Sequence, residues 1–288
     1  MEAKPLVVIV GPTASGKTSL AIKIAQQYQG EIICADSRTV YRELNIGTAK
    51  PTNREKGSVV HWGIDIVEPD VNYTAADFKK YATNCIRGIR KRGNLPILVG
   101  GTGLYVDSVI FDYKFGRKSD PESREKFEKM TLSSLYEYCI NHSIELPQNN
   151  KNKRHLIRAI EQQGINHKRN DSPMDNVIIV GLTTNKEDLR QRINTRIEQM
   201  FRDNVVNEAI NLSGKYGWDV QSMSGNIYRL CRLYIDGVID IDEAKQRAKT
   251  LDWRLAKRQM TWLRRNSYIK WMTLQDAESY LAERLASE

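Results

Sequence analysis

Short apolar runs recur along the chain, and segments with helical spacing separate them. The runs are Leu6–Val10, Glu31–Ala35, Leu95–Val99 and Asn176–Leu182. They are rich in β-branched and aliphatic side chains, which is typical of strands buried on both faces. Their alternation with helices predicts an α/β fold of three layers. A parallel sheet lies between helices on both faces and binds its ligands at the carboxyl edge.

One helix is marked at both of its ends. Thr74 precedes a helical segment, and Asp77 stands three residues later, where a carboxylate completes a variant of the capping box. This pattern predicts a helix that begins after Thr74 and runs to about Lys91, with Gly93 closing it.

The pattern changes after Phe111. Residues 112–175 show the charge spacing of helices but no clear strand, and clusters of Pro, Asn and Asp interrupt them. We predict that this stretch is a helical insertion domain. The core is then formed by residues 1–111 and 176–288, and the C-terminal part of the core is mainly helical.

The first apolar run leads into the sequence GPTASGKT, which we call the glycine loop. It matches G-x-x-x-x-G-K-[ST], the pattern of loops that bind phosphates, and a helical pattern follows it. Backbone N–H groups and the helix amino terminus attract phosphate there, and the hydroxyl of Thr18 is the predicted ligand of Mg²⁺. A chance match is the alternative, although the flanking strand and helix supply the expected context. The predicted diphosphate-binding residues of the loop are Gly11, Pro12, Thr13, Ala14, Ser15, Gly16, Lys17 and Thr18.

The charge of the chain favours an anionic partner. The 44 Lys and Arg residues exceed the 35 Asp and Glu residues by nine, and the isoelectric point is about 9.3. Two stretches, 151–169 and 251–270, concentrate basic residues and interleave them with His, Trp or Tyr. Such mixtures are common on nucleic-acid-binding surfaces, and solvated helix faces are the alternative interpretation.

Cysteine usage and hydropathy point to the cytoplasm. The four cysteines are far apart and form no C-x-x-C pair, which argues against a zinc site or a disulfide framework. The sequence contains no long apolar window, and its first residues lead straight into a strand. We therefore expect a cytoplasmic protein with no membrane span and no signal peptide.

Three groups of residues outside the glycine loop are candidates for chemistry. Asp36 follows the second strand and could act as a general base or as a turn cap. Thr102 lies in a GGTG turn, where a Walker-B acid would be expected in an ATPase; a turn without a ligand is the alternative. Arg192 and Arg196 share one helix face and could bind a diphosphate or pair with neighbouring carboxylates. The four histidines, His61, His142, His155 and His167, have no metal-binding spacing and are expected at the surface.

Taken together, the motifs resemble those of the tRNA dimethylallyltransferase (tRNA isopentenyltransferase) family. The resemblance is to the bacterial type, since the zinc finger of eukaryotic members is not found in the sequence. The matching segments are the glycine loop, DS at 36–37, VYR at 40–42, IGTAKP at 46–51, YTAADF at 73–78, GGTGLY at 100–105, NKR at 152–154, RAIE at 158–161, the two arginines at 192 and 196, and AKRQMTWLR at 256–264.

The resemblance implies a transfer reaction. The dimethylallyl group of dimethylallyl diphosphate would move to N6 of the adenosine that follows the anticodon (position 37) in tRNA. Asp36 would take the N6 proton, and Thr102 would contact the base or the diphosphate. Mg²⁺ at Thr18, together with Arg196, would neutralise the leaving group, and the enzyme would act as a monomer on the anticodon stem-loop. The implied tRNA-contacting residues are Ser37, Arg38, Thr39, Arg124, Arg154, His155, Leu156, Ile157 and Arg158.

Several positions depart from the family pattern, and other functions stay open. The departures are at Thr39, at Trp62 and Gly63, at Asn149 and Asn150, at His155, and at Asn226 to Tyr228. They bear on the choice of tRNA more than on the chemistry. The alternatives are a small-molecule or nucleotide kinase with ATP in the loop, an adenylate isopentenyltransferase, and an RNA-binding protein without catalytic activity.

Overall fold

Parallel strands form the centre of the protein in the computed structural model, which describes residues 4–116, 120–163 and 169–286. Within those ranges the sheet has six strands in the order β3-β2-β4-β1-β5-β6. The strands are β1 (Leu6–Val10), β2 (Gly30–Cys34), β3 (His61–Trp62), β4 (Leu95–Gly100), β5 (Val177–Leu182) and β6 (Lys270–Met272). All four predicted strands are confirmed. The sequence pattern missed only the short edge strands β3 and β6.

Helices make up most of the remaining described residues. They are α1 (Lys17–Gln27), α2 (Asn53–Lys56), α3 (Ala75–Lys91), α4 (Gly103–Ile110), α5 (Pro121–Lys129), α6 (Leu132–Asn141), α7 (Lys153–Gln162), α8 (Lys186–Arg202), α9 (Val205–Tyr216), α10 (Asn226–Ile235), α11 (Ile241–Leu263) and α12 (Leu274–Ala286). The predicted helix after Thr74 is α3, and the Thr74 and Asp77 side chains each accept the other's backbone N–H. None of the helices described is long and apolar enough to span a bilayer.

Both faces of the central strand are covered. Every residue of β1 is fully buried, which explains why its sequence is apolar without alternation. On one face, Val7 and Ile9 pack in a cluster with residues of α1 and α12. The helix α3 packs against β2 and β4. The predicted layers of helices around a parallel sheet are confirmed.

The chain forms two compact units. One contains the residues up to 106 and those from 175 onward, and the other contains residues 107–174. The second unit therefore begins within α4, whereas the sequence pattern placed the change at residue 112. Its helices α5 to α7 surround a small apolar core that includes Leu135, Leu156 and Ile157.

A charged cluster fastens the amino end of β2. The carboxylate of Glu31, a residue only 5% exposed, accepts hydrogen bonds from Trp62 Nε1 at 2.7 Å and from Asn94 Nδ2 at 2.8 Å. Arg92 donates Nε and Nη2 to it at 2.9 and 2.8 Å and lies 5.5 Å from the centre of the Trp62 ring. Burial raises the pKa of Glu31, but these hydrogen bonds outweigh burial and the net shift is downward.

We expect Glu31→Gln to lower the free energy of unfolding by about 2 kcal/mol, because it removes the charge of a buried acceptor that holds three donor side chains. A carboxyl whose pKa is lowered by folding stabilises the protein above its unfolded-state pKa, and this contribution is lost as the pH falls. Urea denaturation at neutral and acidic pH should therefore show a difference from wild type that shrinks on acidification. Trp62→Phe, which removes one donor, is the milder control. A loss below 1 kcal/mol at neutral pH would contradict the assignment.

Candidate functional site

Three segments meet at the carboxyl edge of the sheet. The glycine loop follows β1, Asp36 follows β2, and the turn at Gly100 and Gly101 ends β4. In the sheet β4 lies between β2 and β1, so its end separates the carboxylate from the loop. A Cβ atom at Gly100 would lie 2.0 Å from the carbonyl oxygen of Ala35. Only glycine fits there, and the edge stays free of side chains between the two groups.

The glycine loop wraps around the start of α1. Gly16 has a φ of 91°, which favours glycine, and it precedes the first residue of the helix. The Lys17 Nζ atom donates to the Pro12 carbonyl at 2.6 Å, so the lysine side chain folds back over the loop. The Ser15 hydroxyl is buried and has no hydrogen-bond partner. The pKa of Lys17 is lowered to about 8. Burial lowers it most, nearby Asp36 opposes this effect, and Arg196 adds a smaller lowering. The loop therefore offers a cation whose charge an incoming anion would stabilise.

Two helices of the C-terminal part hold the glycine loop from outside. The Thr13 backbone N–H donates to Gln259 Oε1 on α11 at 2.8 Å. The Thr13 hydroxyl accepts from Arg196 Nη1 at 2.5 Å, and Nη2 of the same arginine contacts Asp252 at 2.5 Å. Arg196 is thus fixed at the loop, whereas Arg192, one turn earlier on α8, is exposed.

Sequence reasoning missed two members of this arrangement. Gln259 lies within the AKRQMTWLR motif, and Asp252 is the single acid of the basic stretch 251–270, but no sequence pattern assigns a role to either residue. An acidic residue that stands alone in a basic stretch is a signal that it pairs with a cation, and here its partner is Arg196. The signal was present, but the partner lies on a different helix and cannot be identified from spacing.

Asp36 and Thr102 belong to one hydrogen-bonded turn. The Asp36 Oδ1 atom accepts the backbone N–H of Arg38 at 2.8 Å, so the residue does cap a turn, as one alternative expected. The Thr102 hydroxyl accepts the backbone N–H of Ser37 at 3.1 Å, and the Thr102 N–H donates to the Ala35 carbonyl at 3.3 Å. Thr102 therefore fastens the turn that orients Asp36. A contact between Thr102 and a ligand stays a prediction.

A narrow channel and a wider groove meet at the glycine loop. The channel has a volume of about 150 Å³ and is lined by Asp36, Lys17, Thr18 and Arg196. Its apolar lining includes Ala21, Ile32, Cys34, Ile64 and Val99. The groove has a volume of about 1000 Å³, and Lys17, Thr18, Arg192 and Arg196 line it too. A phosphate group at this junction would face the carboxylate across an apolar space.

The oxygen ligands at the junction suit a hard cation. Across the described ranges there is no cluster of three His, Cys, Asp or Glu residues that could hold a metal alone. The Thr18 hydroxyl and the Asp36 carboxylate line the same channel beside the phosphate-binding loop. Mg²⁺ is usually bound by few protein oxygens, with phosphate oxygens and water completing its shell. These residues therefore fit Mg²⁺ as a partner of a bound diphosphate.

The predicted RNA-contacting residues near the channel differ in exposure. Arg38 Nη1 is fixed by the Gln221 carbonyl at 2.9 Å and by the Ser224 hydroxyl at 3.1 Å. Thr39 is 8% exposed, and its hydroxyl is buried without a partner while the residue lines the channel. Thr39 therefore lines the channel rather than the surface, and a contact between Thr39 and RNA stays a prediction.

The predicted RNA contacts in the unit 107–174 need a correction. Arg154 and His155 are exposed at the start of α7, and Arg124 and Arg158 share the carboxylate of Glu161. Leu156 and Ile157 are 0% and 2% exposed. Their side chains form the core of this unit, so the prediction that they contact RNA is wrong for the side chains. Exposed and buried residues follow each other along α7, and a motif match does not show which of them face the core.

Other sequence expectations also have outcomes in the structure. His61 is half buried in β3, and its Nε2 atom has no partner, so the expected surface position is wrong for this histidine. His142 and His155 are exposed as predicted. His167 and Lys168, a member of the first basic stretch, lie outside the described residues.

The second basic stretch forms an exposed cationic face on and after α11. Lys257 lies 5.3 Å from the centre of the Trp253 ring, and Arg265 lies 5.6 Å from that of Trp262. Where the structure describes the chain, no carboxylate pairs with the members of this face. They are Arg254, Lys257, Arg258, Arg264 and Arg265, all exposed. Unpaired cations beside aromatic rings can bind a nucleic-acid backbone and its bases.

Comparisons with known proteins agree on one family. Residues 39–266 match the family model described as IPP transferase, and residues 4–62 match the one described as Isopentenyl transferase. A tRNA dimethylallyltransferase of Streptococcus mutans is 39% identical over 95% of this chain and 94% of its own length. One of Pelotomaculum thermopropionicum is 38% identical over 96% and 92%.

Solved structures give the same result. The crystal structure of the full-length tRNA isopentenylpyrophosphate transferase from Bacillus halodurans has a TM-score of 0.76 and 34% identity, covering 99% of this chain and 98% of that one. A eukaryotic dimethylallyltransferase acting on tRNA has a TM-score of 0.78 at 21% identity, with coverage of 94% and 74%. At that identity the second likeness concerns the fold alone.

We expect Arg196→Lys to weaken the binding of inorganic diphosphate by about tenfold. Lysine keeps the charge but cannot reach Thr13 and Asp252 together, as the planar guanidinium does. Isothermal titration calorimetry measures the change. Arg190→Lys, the same substitution at an exposed position of α8, is the matched control and should bind as wild type does. Equal affinities for all three proteins would remove Arg196 from the anion site.

Proposed function

The chain belongs to the IPP transferase family, and from this premise we propose that it is a tRNA dimethylallyltransferase. It transfers the dimethylallyl group of dimethylallyl diphosphate to N6 of adenosine 37 in tRNA. The observation that carries this proposal is one channel with a phosphate-binding loop, an apolar lining and the Asp36 carboxylate. An allylic diphosphate and an exocyclic amine need these three features.

The diphosphate end of the donor fits the glycine loop. Its negative charge would meet Lys17, Thr18 and Arg196, and the amino terminus of α1 adds partial positive charge. As the bond between C1 and the diphosphate oxygen breaks, negative charge grows on the leaving group, and these donors stabilise it most at that stage. Burial is the main cause of the lowered pKa of Lys17, and a bound diphosphate would favour the charged form of this side chain.

Asp36 is suited to receive the proton. A new bond forms between N6 and C1 as the diphosphate leaves, and the N6 proton passes to the Asp36 carboxylate. One carboxylate oxygen is held by the Arg38 N–H, so the group is oriented before the substrate arrives. Apolar side chains such as Ile32 and Val99 exclude water, which would otherwise compete with the amine for the allylic carbon.

We also propose Mg²⁺ as a cofactor, because the protein oxygens at the glycine loop suit this ion. Thr18 would hold it together with the diphosphate, and the ion would supply additional positive charge against the leaving group. We further propose that the enzyme acts as a monomer. A tRNA substrate supports a place of action in the cytoplasm.

The anionic RNA would bind to exposed cations. Arg154 at the start of α7 and the cationic face that includes Arg258 have the required exposure. The target adenine must leave its stack to enter a channel of this size, and Thr39, which lines the channel, would contact it there. Gln259 connects α11, which carries the cationic face, to the glycine loop.

Two other functions make different predictions. A nucleotide kinase would turn over ATP without RNA, and the cationic face would have no use in it. An adenylate isopentenyltransferase would accept AMP as readily as tRNA. Single-turnover reactions with labelled dimethylallyl diphosphate and either tRNA or AMP separate these cases. Product with tRNA and none with AMP is the expected result; ATP consumption without prenyl transfer would overturn the proposal.

We expect Asp36→Asn to slow single-turnover prenylation of tRNA by about 10²–10⁴-fold, the usual contribution of a general base. Asparagine keeps the acceptor for the Arg38 N–H, so the turn should survive. Filter binding should show unchanged affinity for tRNA. Asp242→Asn, at a carboxylate of α11 whose side chain is 86% exposed, is the control and should react at the wild-type rate. A wild-type rate for Asp36→Asn would refute the assignment of the base.

We expect Arg154→Ala and Arg258→Ala each to weaken tRNA binding and to reduce its salt dependence by about one unit of slope, since each removes one phosphate contact. Dissociation constants measured over a series of salt concentrations give the slope. Lys91→Ala is the matched control, because Lys91 is exposed at the end of α3 that leads to the amino edge of the sheet. A slope equal to that of the control would remove the residue from the RNA surface.

A further inference from the structure

A loop far from the glycine loop in sequence forms part of the groove that leads to it. Residues 45–52 follow the buried Leu44 and precede α2. Ile46, Ala49 and Pro51 line the groove together with the glycine loop and α1, and Ala49 and Pro51 also line the channel. The position of this loop, which we call the wall loop, therefore limits the space in which a diphosphate can sit.

One carboxylate holds the wall loop from outside. Glu208 on α9 accepts the backbone N–H groups of Asn45 at 2.9 Å and Ile46 at 2.7 Å through Oε2. Its Oε1 accepts the N–H of Gly47 at 2.8 Å and the hydroxyl of Tyr228 at 2.8 Å. Three successive backbone donors of a loop thus converge on a single side chain. Hydrogen bonds to an ionised acceptor are about twice as strong as neutral ones.

The side chain of Tyr228 packs tightly against the wall loop behind this carboxylate. Tyr228 is 1% exposed, and a Cβ atom at Gly47 would lie 2.7 Å from its hydroxyl oxygen. Burial raises the pKa of Tyr228, and the nearby Glu208 raises it further, so the hydroxyl remains a donor. The wall loop therefore packs against α10 through Gly47 and is hydrogen-bonded to α9 through Glu208. These two contacts restrict its movement toward either helix.

The lysine of the wall loop is bonded within the protein and does not point a free ammonium group at the diphosphate site. Lys50 is inside the IGTAKP motif and lines the groove, which would suggest a phosphate contact. Its ammonium group instead donates to the Tyr41 carbonyl at 2.5 Å, to Asn45 Oδ1 at 3.1 Å and to Asp65 Oδ1 at 2.5 Å. With three donors and three partners, and a side chain only 5% exposed, Lys50 stabilises the loop from inside.

The helices α8 and α9 connect the two sides of the groove. Arg196 on α8 contacts the glycine loop through Thr13, and Glu208 on α9 holds the wall loop. The two helices are consecutive and pack on each other. The separation between the glycine loop and the wall loop is therefore fixed through this pair of helices.

From these contacts we propose that Glu208 is a positioning residue for the donor diphosphate. It fixes the wall loop at the distance from the glycine loop that a dimethylallyl diphosphate requires. It does not touch the substrate and acts through residues 45–47. The inference rests on the proposed function, because the diphosphate donor is the ligand whose site is being set.

The test compares Glu208→Gln with wild type in steady-state kinetics. Glutamine keeps the shape but places an amide NH₂ group against a backbone N–H, so the wall loop should detach at one or more of its three donors. We expect the KM for dimethylallyl diphosphate to rise by about tenfold, with kcat within threefold and the dissociation constant for tRNA within twofold. A purely structural role would lower the fraction of folded enzyme and reduce kcat without changing this KM.

Two variants serve as controls. Glu43→Gln removes an exposed carboxylate that also connects this segment to α9, through Lys215 and Tyr216, but lies outside the wall loop. Tyr228→Phe removes one of the four hydrogen bonds of Glu208 and spares the backbone donors. Both should keep the wild-type KM. An unchanged KM for Glu208→Gln, or an equal rise in all three variants, would overturn the proposal.

A binding measurement separates this inference from the proposed function. Dimethylallyl thiolodiphosphate, a donor analogue whose carbon–sulfur bond resists cleavage, can be titrated by calorimetry without tRNA. If wild type binds the analogue and Glu208→Gln binds it about tenfold more weakly, the positioning role is supported even in the absence of tRNA prenylation. Equal binding by both proteins refutes the positioning role, whereas an inactive wild type that binds the analogue refutes only the proposed reaction.

Discussion

The contact between the ends of β2 and β4 is the constraint on which the rest of the site depends. The Ala35 carbonyl fills the space where a side chain at Gly100 would stand, and it accepts the N–H of Thr102. This close approach brings Asp36 to the glycine loop without any side chain between them. A bulkier residue at Gly100 would force the two strands apart and would widen the channel at the point where the acceptor and the donor must meet.

The charges around the glycine loop are balanced rather than simply positive. Arg196 is paired with Asp252, and the charge of Lys17 is favoured by Asp36. The pKa of Lys17 is lowered mainly because the buried ammonium group loses hydration, and to a smaller degree because Arg196 repels it. The two carboxylates make such a site possible without a bound anion.

The fold could be predicted further than the site. Apolar runs without alternation identified the four central strands, and Thr74 with Asp77 identified the start of α3, because these signals are local. The edge strands β3 and β6 contain two and three residues, too few for a pattern. The glycine loop and Asp36 were visible as motifs. Gln259 and Glu208 were not, since their partners lie 246 and 161 to 163 positions away in the sequence. The buried Leu156 and Ile157 show the opposite error, in which a motif was read as surface throughout.

The short edge strands also affect how this sheet meets other chains. An edge strand presents unpaired backbone groups, and a long flat one can recruit a strand from another molecule. Here β3 offers only two residues, and the Arg92 guanidinium lies over its Trp62 ring, while β6 offers three residues at the opposite edge. Neither border of the sheet gives a neighbouring copy enough backbone to extend the ladder. The central strands, whose sequences are among the most apolar of the chain, are thereby shielded from intermolecular β-pairing once the protein has folded.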